Sequence, residues 1–99
     1  MEPSDAFGIV LRKRRFEACL TQEQLAFEAD IQRVYVSKLE LGHYQPTLTM
    51  LFTLAKALGC TASDLIVEVE QQLANSLRKK KTGPAIQARR VRTQKKPAQ

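Results

Sequence analysis

The 99-residue sequence predicts an all-α fold, a compact domain of five helices followed by a basic C-terminal tail. Three observations predict it. Apolar residues recur at helical spacing in successive segments, with none of the strict alternation that marks a half-buried strand. Capping and stop signals divide those segments: Thr21, Thr47 and Thr61 stand where a hydroxyl can accept from the free N–H groups of a first turn, and Gly59 stands where a helix ends. The stretch from Thr21 to Gly42 holds two short helical patterns separated by only a few residues, and no internal repeat is present.

The first helix is expected over residues 5–18, burying Phe7, Val10 or Leu11, and part of Phe16. In the second, Glu23 and Gln24 suit the positive end of the helix dipole, and Leu25, Ala26 and Ala29 form an apolar face. The third starts after Asp30. There Ile31, Val34 or Tyr35, Val36, Leu39 and Glu40 alternate with Gln32, Arg33, Ser37 and Lys38, so one face can be buried while the other offers hydrogen-bond donors. Two short helices at this spacing, the second readable from outside, form a helix-turn-helix pattern. Helix four is predicted from Leu48 to Leu58, capped by Thr47 after Pro46 and burying Leu51, Leu54, Ala55 and Leu58. Helix five begins after Thr61, in a capping-box-like start with Asp64 where Glu is more usual. Its apolar stripe, Leu65, Ile66 and Val69, continues through Leu73 and Leu77 to the basic cluster 78–81. That continuation either packs against a second copy, making Ile66, Val69, Leu73 and Leu77 a dimerisation face, or Leu73 and Leu77 fold back onto helix one or merely fray. Past Thr82-Gly83-Pro84 the helix should break. The expected organisation is a DNA-binding domain over 5–70, a helical extension over 71–81 and a flexible basic tail over 82–99.

Charge sharpens this division. The first 70 residues carry seven basic side chains and all ten acidic ones, a balance of −3, and the remainder carries +9, which together make the net +6. Specificity is therefore expected in the domain, with phosphate attraction supplemented by the tail. Cys19 and Cys60 are too few for a disulfide framework and lack metal-ligand spacing, so two reduced thiols and no metal or other cofactor are expected. No glycine-rich phosphate loop or spaced acid/base pair points to an enzyme. No apolar run approaches the length of a membrane span, and the start MEPSDAF lacks the regions of a signal peptide, so a cytoplasmic, nucleoid-associated protein is expected.

Several ordered motifs now accumulate: Phe7-Gly8 and Leu11-Arg12, then Thr21-Gln22-Glu23-Gln24-Leu25-Ala26, Ser37-Lys38-Leu39-Glu40-Leu41-Gly42, Pro46-Thr47, and Leu54-Ala55-Lys56-Ala57-Leu58-Gly59. Together they resemble the lambda-repressor-like, XRE/Cro-type helix-turn-helix family of bacterial and phage regulators over residues 7–66. The resemblance implies that Gln32, Arg33 and Val34, with Ser37 and Lys38 one turn later, contact bases in the major groove. Arg33 suits guanine O6 and N7, Lys38 guanine acceptors, Gln32 adenine or a phosphate, and Val34 a thymine methyl.

It also implies that Gln22 binds a phosphate while steadying the first recognition-helix side chain, and that Arg15 and Glu40 tie helix one to the recognition helix by an ion pair. The Thr21 N–H, Tyr35, His43 and Tyr44 are further phosphate candidates. Tyr44, standing where many relatives carry a basic residue, has a second reading as a core plug beneath Pro46. Three positions depart from the family pattern: Cys19 and Asp30 stand where glycine with positive φ is frequent, and Arg14 replaces a frequent leucine.

The expected function is a sequence-specific double-stranded DNA-binding transcriptional regulator, acting as a homodimer. Two other readings compete: an antitoxin-like module that binds a protein partner through the C-terminal extension, and a general nucleic-acid binder driven by the tail.

Overall fold

Residues 1–80 are described by the computed structural model and form five helices: α1 Pro3–Glu17, α2 Gln22–Ala29, α3 Arg33–Glu40, α4 Leu48–Leu58 and α5 Ala62–Lys80. The expected helix break at 82–84 and the basic tail 82–99 lie outside the described residues. Among the described residues there is no strand, and no single helix is long and apolar enough to cross a membrane.

α1 lies between α3 and α5, while α2 packs on α3 and α4, and α4 on α5. That placement explains why both Val10 and Leu11 are buried, where one was expected: a helix with neighbours on two sides needs two apolar faces. The core also holds Phe7, Leu25, Ala26, Ala29, Val36, Leu39, Leu54, Ala55 and Leu65. Phe16 keeps most of its ring outside, with the Arg15 guanidinium 4.6 Å from the ring centroid. The close approach of α1 to α3 depends on Gly8. A Cβ there would stand 2.5 Å from the carbonyl oxygen of Glu40 and 2.7 Å from that of Leu39.

The local signals act as written. Thr21 Oγ1 accepts from Gln24 N at 3.0 Å while Gln24 Oε1 accepts from Thr21 N at 2.9 Å. The same reciprocal pair forms between Thr61 and Asp64, both bonds 3.0 Å, and holds the Asp64 carboxyl below its usual range. Thr47 Oγ1 caps α4 through Met50 N, and Gly59 closes it with φ +76°. The two missing glycines do not reshape their turns. Cys19 and Asp30 adopt φ of 60° and 57°, and the following residues bond back to Arg15 O and Ala26 O as glycine-ended helices do. Cys19 thus occupies a left-handed conformation that a β-carbon disfavours.

α5 crosses residue 70 without interruption. Leu65 and Val69 enter the core and Leu73 packs partly against it, so this part of the expected dimer stripe folds onto its own domain. The reason is register: at 3.6 residues per turn each step of four overshoots by about 40°, so the stripe turns away from the core by Leu77, and Ile66 stands about 100° round from Leu65; the two are 61% and 41% exposed. Arg14 adds a second tie between α1 and α5. Its Nε and Nη2 donate to the Glu68 carboxylate, Nη2 at 2.5 Å, which raises the arginine's pKa.

Candidate nucleic-acid interface

The site is anchored by a buried ion pair. Arg15 near the end of α1 donates from Nε to Glu40 Oε2 at 2.6 Å and from Nη2 to Glu40 Oε1 at 3.1 Å, and the two side chains are only 8% and 3% exposed. A third donor, Nη1, reaches the Leu20 carbonyl at 3.0 Å. Two parallel N–H···O bonds and the extra acceptor satisfy the guanidinium where water does not reach. The pair fixes α1, the turn before α2 and the end of α3 to one another.

From Glu40 the hydrogen bonds run outward. Gln22 Nε2, in the first turn of α2, donates to Glu40 Oε1 at 3.0 Å, and Arg33 Nη1 donates to Gln22 Oε1 at 3.3 Å. Arg33 is the first residue of α3, and Gln32 before it is the N-cap, with extended φ/ψ of −83° and 147° and no side-chain capping bond. Gln32, Arg33 and Val34 are all exposed. Between Val34 and Tyr35 the helix turns Val34 outward, 49% exposed, and Tyr35 partly inward against the core. Ser37 and Lys38 follow one turn later, half-buried.

Two aromatic side chains flank α3. The rings of Tyr35 and Tyr44 lie 5.8 Å apart at 42°, and Lys38 Nζ stands 5.8 Å from the Tyr44 centroid. Tyr44 is 46% exposed, a surface side chain and not a plug beneath Pro46. The His43 side chain is exposed, while its N–H closes the end of α3 on Lys38 O at 2.9 Å. The Thr21 N–H, expected to face a phosphate, is instead taken by Gln24 Oε1. A capping box uses that donor, and the Thr21 hydroxyl proton remains for a ligand. The outcome is one exposed surface: the start of α3, with Gln22 at its N-terminal side and Tyr44 beside its second turn.

Of the four expected dimerisation residues, Val69 is buried and Leu73 packs partly against the core, whereas Ile66 and Leu77 are exposed. Ile66 borders a groove of about 460 Å³ lined by Leu48, Leu51, Phe52, Ala62, Ser63 and Val67. Leu48, Phe52 and Val67 are 71%, 61% and 49% exposed. This α4–α5 face escaped sequence reading because Leu48 and Phe52 look like ordinary members of an apolar helix. The Arg14–Glu68 pair also escaped it, although a charge at a frequent leucine position is a signal that a partner must exist. Cys19 and Cys60 are both free thiols.

Comparison with known proteins accords with this geometry. The helix-turn-helix family profile matches residues 11–65. Control protein C.MunI from a Mycoplasma species is 36% identical over 67 residues, covering 67% of this chain and 90% of its own. Among solved structures, the clp gene regulator ClgR from Corynebacterium glutamicum superposes with a TM-score of 0.78 at 25% identity, over 81% of this chain and 85% of its own. The restriction-modification controller protein C.AhdI from Aeromonas hydrophila is 35% identical, with a TM-score of 0.61 over 63% and 94%.

Proposed function

Given that the chain belongs to the XRE-type helix-turn-helix family of DNA-binding transcriptional regulators, we propose that it reads double-stranded operator DNA by laying α3 in the major groove. Gln32, Arg33 and Val34 contact the first bases, and Ser37 and Lys38 the next. The observation that carries this reading is the exposed start of α3, whose arginine is held outward by hydrogen bonds that lead back to a buried ion pair. Gln22, through its second amide proton, and the hydroxyls of Thr21, Tyr35 and Tyr44, with His43, bind phosphates on the two sides of the groove. Tyr44 gives a contact without net charge, so it adds little to the salt dependence. The nine positive charges after residue 70 supply most of that dependence.

Two-fold symmetry requires a second copy, and the α4–α5 face fits it better than the stripe expected from sequence. Leu48, Phe52, Ile66 and Val67 form a contiguous exposed apolar patch, and association of two copies removes it from water. Each copy then places one α3 in successive turns of the major groove, about 34 Å apart.

The test is selection from a random duplex pool at near-physiological salt, with the full chain and with a truncation after Lys81. The reading expects both to enrich one inverted repeat, and the truncation to lose affinity uniformly across sequences. Enrichment of nothing by either chain would move the function to the tail or to a protein partner seated in the α4–α5 groove.

A further inference from the structure

We propose that Glu40, besides pairing with Arg15, is a positioning residue for base selection: it fixes the polarity of the Gln22 amide and so holds Arg33 in its reading conformation. This rests on the reading that Arg33 contacts a base. An ionised carboxylate only accepts, so the Gln22 amide must turn its Nε2 toward Glu40 Oε1, 3.0 Å away. Its Oε1 is thereby presented on the outer side, where it can meet only a donor. The donor it meets is Arg33 Nη1 at 3.3 Å. Holding one nitrogen there leaves Nε and Nη2 of the guanidinium for a two-pronged contact with guanine, and reduces the rotamer freedom lost when DNA binds.

The isosteric change Glu40→Gln exposes the logic. Arg15 Nε makes the shortest bond of the pair, 2.6 Å to the oxygen at the Oε2 position, and therefore retains an oxygen there. The amide nitrogen of the new side chain then takes the Oε1 position, where it confronts both Arg15 Nη2 and Gln22 Nε2. Gln22 must flip to offer its oxygen inward. Its NH2 then faces Arg33, donor against donor, and Arg33 is released. A buried change of one proton-bearing group is thus transmitted through two side chains to the surface.

The experiment is duplex selection with the full chain carrying Arg33→Ala, Glu40→Gln or Gln22→Met, with thermal melting of each variant alongside. Arg33→Ala identifies the base pair that Arg33 reads, by a loss of preference of roughly fivefold to a hundredfold. We expect Glu40→Gln to relax that same pair by about fivefold or more while the other positions keep their ranking. Gln22→Met leaves the Arg15–Glu40 pair whole and should relax the same pair without a matching loss of melting temperature. In the double variant Glu40→Gln, Gln22→Met the two losses of preference should not add. If Glu40→Gln melts below the selection temperature, Gln22→Met alone still decides, because the relay requires it to relax that pair. Uniform weakening at all positions by Glu40→Gln and Gln22→Met would overturn the relay and leave the pair a purely structural tie. If Arg33→Ala changes no position, the base-reading role of Arg33 falls, and the relay with it.

Discussion

The α1–α2–α3 side and the α4–α5 face of this domain use opposite physics. The first is organised by a buried charge pair and directed hydrogen bonds, from Arg15 through Glu40 and Gln22 to Arg33. The second presents Leu48, Phe52, Ile66 and Val67 to solvent, with no comparable polar network among the described residues. Directed bonds set the angle of a side chain, whereas apolar burial is non-directional and scales with area. The proposed reading therefore assigns discrimination among bases to the first surface and adhesion of a second copy to the other.

The contrast can be broken most severely at Arg15. Arg15→Met leaves Glu40 as a buried carboxylate without its cation, and should destabilise the fold by about 3–5 kcal/mol in urea denaturation. A loss below 1 kcal/mol would mean that water reaches the pair. The other face is expected to respond differently. Phe52→Ser with Ile66→Ser should raise the dimer dissociation constant more than tenfold in analytical ultracentrifugation. The stability of the monomer should change by only about 0.5 kcal/mol, because both side chains are already exposed. An unaltered dimer would place the interface elsewhere, with Leu77 the next candidate. The smallest effect lies at the α1–α2 turn, beside the charged network. Cys19→Gly relieves a β-carbon at φ 60° and should stabilise the domain by about 1 kcal/mol, read as a higher melting temperature with unchanged DNA preference. A lower melting temperature would show that the thiol contributes packing that outweighs the strain.

The same two regions differ in how far the sequence discloses them. Thr21, Thr47, Thr61 and Gly59 act on their own neighbours within four residues, so the helix boundaries were readable from local chemistry. The Arg15–Glu40 pair spans 25 residues and was reachable only through family resemblance, and the Arg14–Glu68 pair, 54 residues apart, was not reached at all. Periodicity showed that α5 is apolar on one side, yet it could not say what that side meets. Leu65, Val69 and Leu73 turned out to face their own core, and the exposed patch formed from Ile66 and Val67 with residues of α4. Cys19 is a case of tertiary override. Docking of α1 and α2 around Arg15 and Leu20 imposes a left-handed residue whatever its side chain.

In the proposed reading Arg33 is the point at which the polar region meets DNA, so the most direct measurement is made there. In the selected operator each guanine would be replaced in turn by 7-deazaguanine, which lacks the N7 acceptor, and affinity measured for the wild-type chain and for Arg33→Ala. Our account predicts one guanine per half-site whose replacement weakens the wild-type chain roughly fivefold or more and leaves Arg33→Ala unaffected. Equal losses in both chains at every guanine would contradict it, since the N7 contact would then belong to another residue.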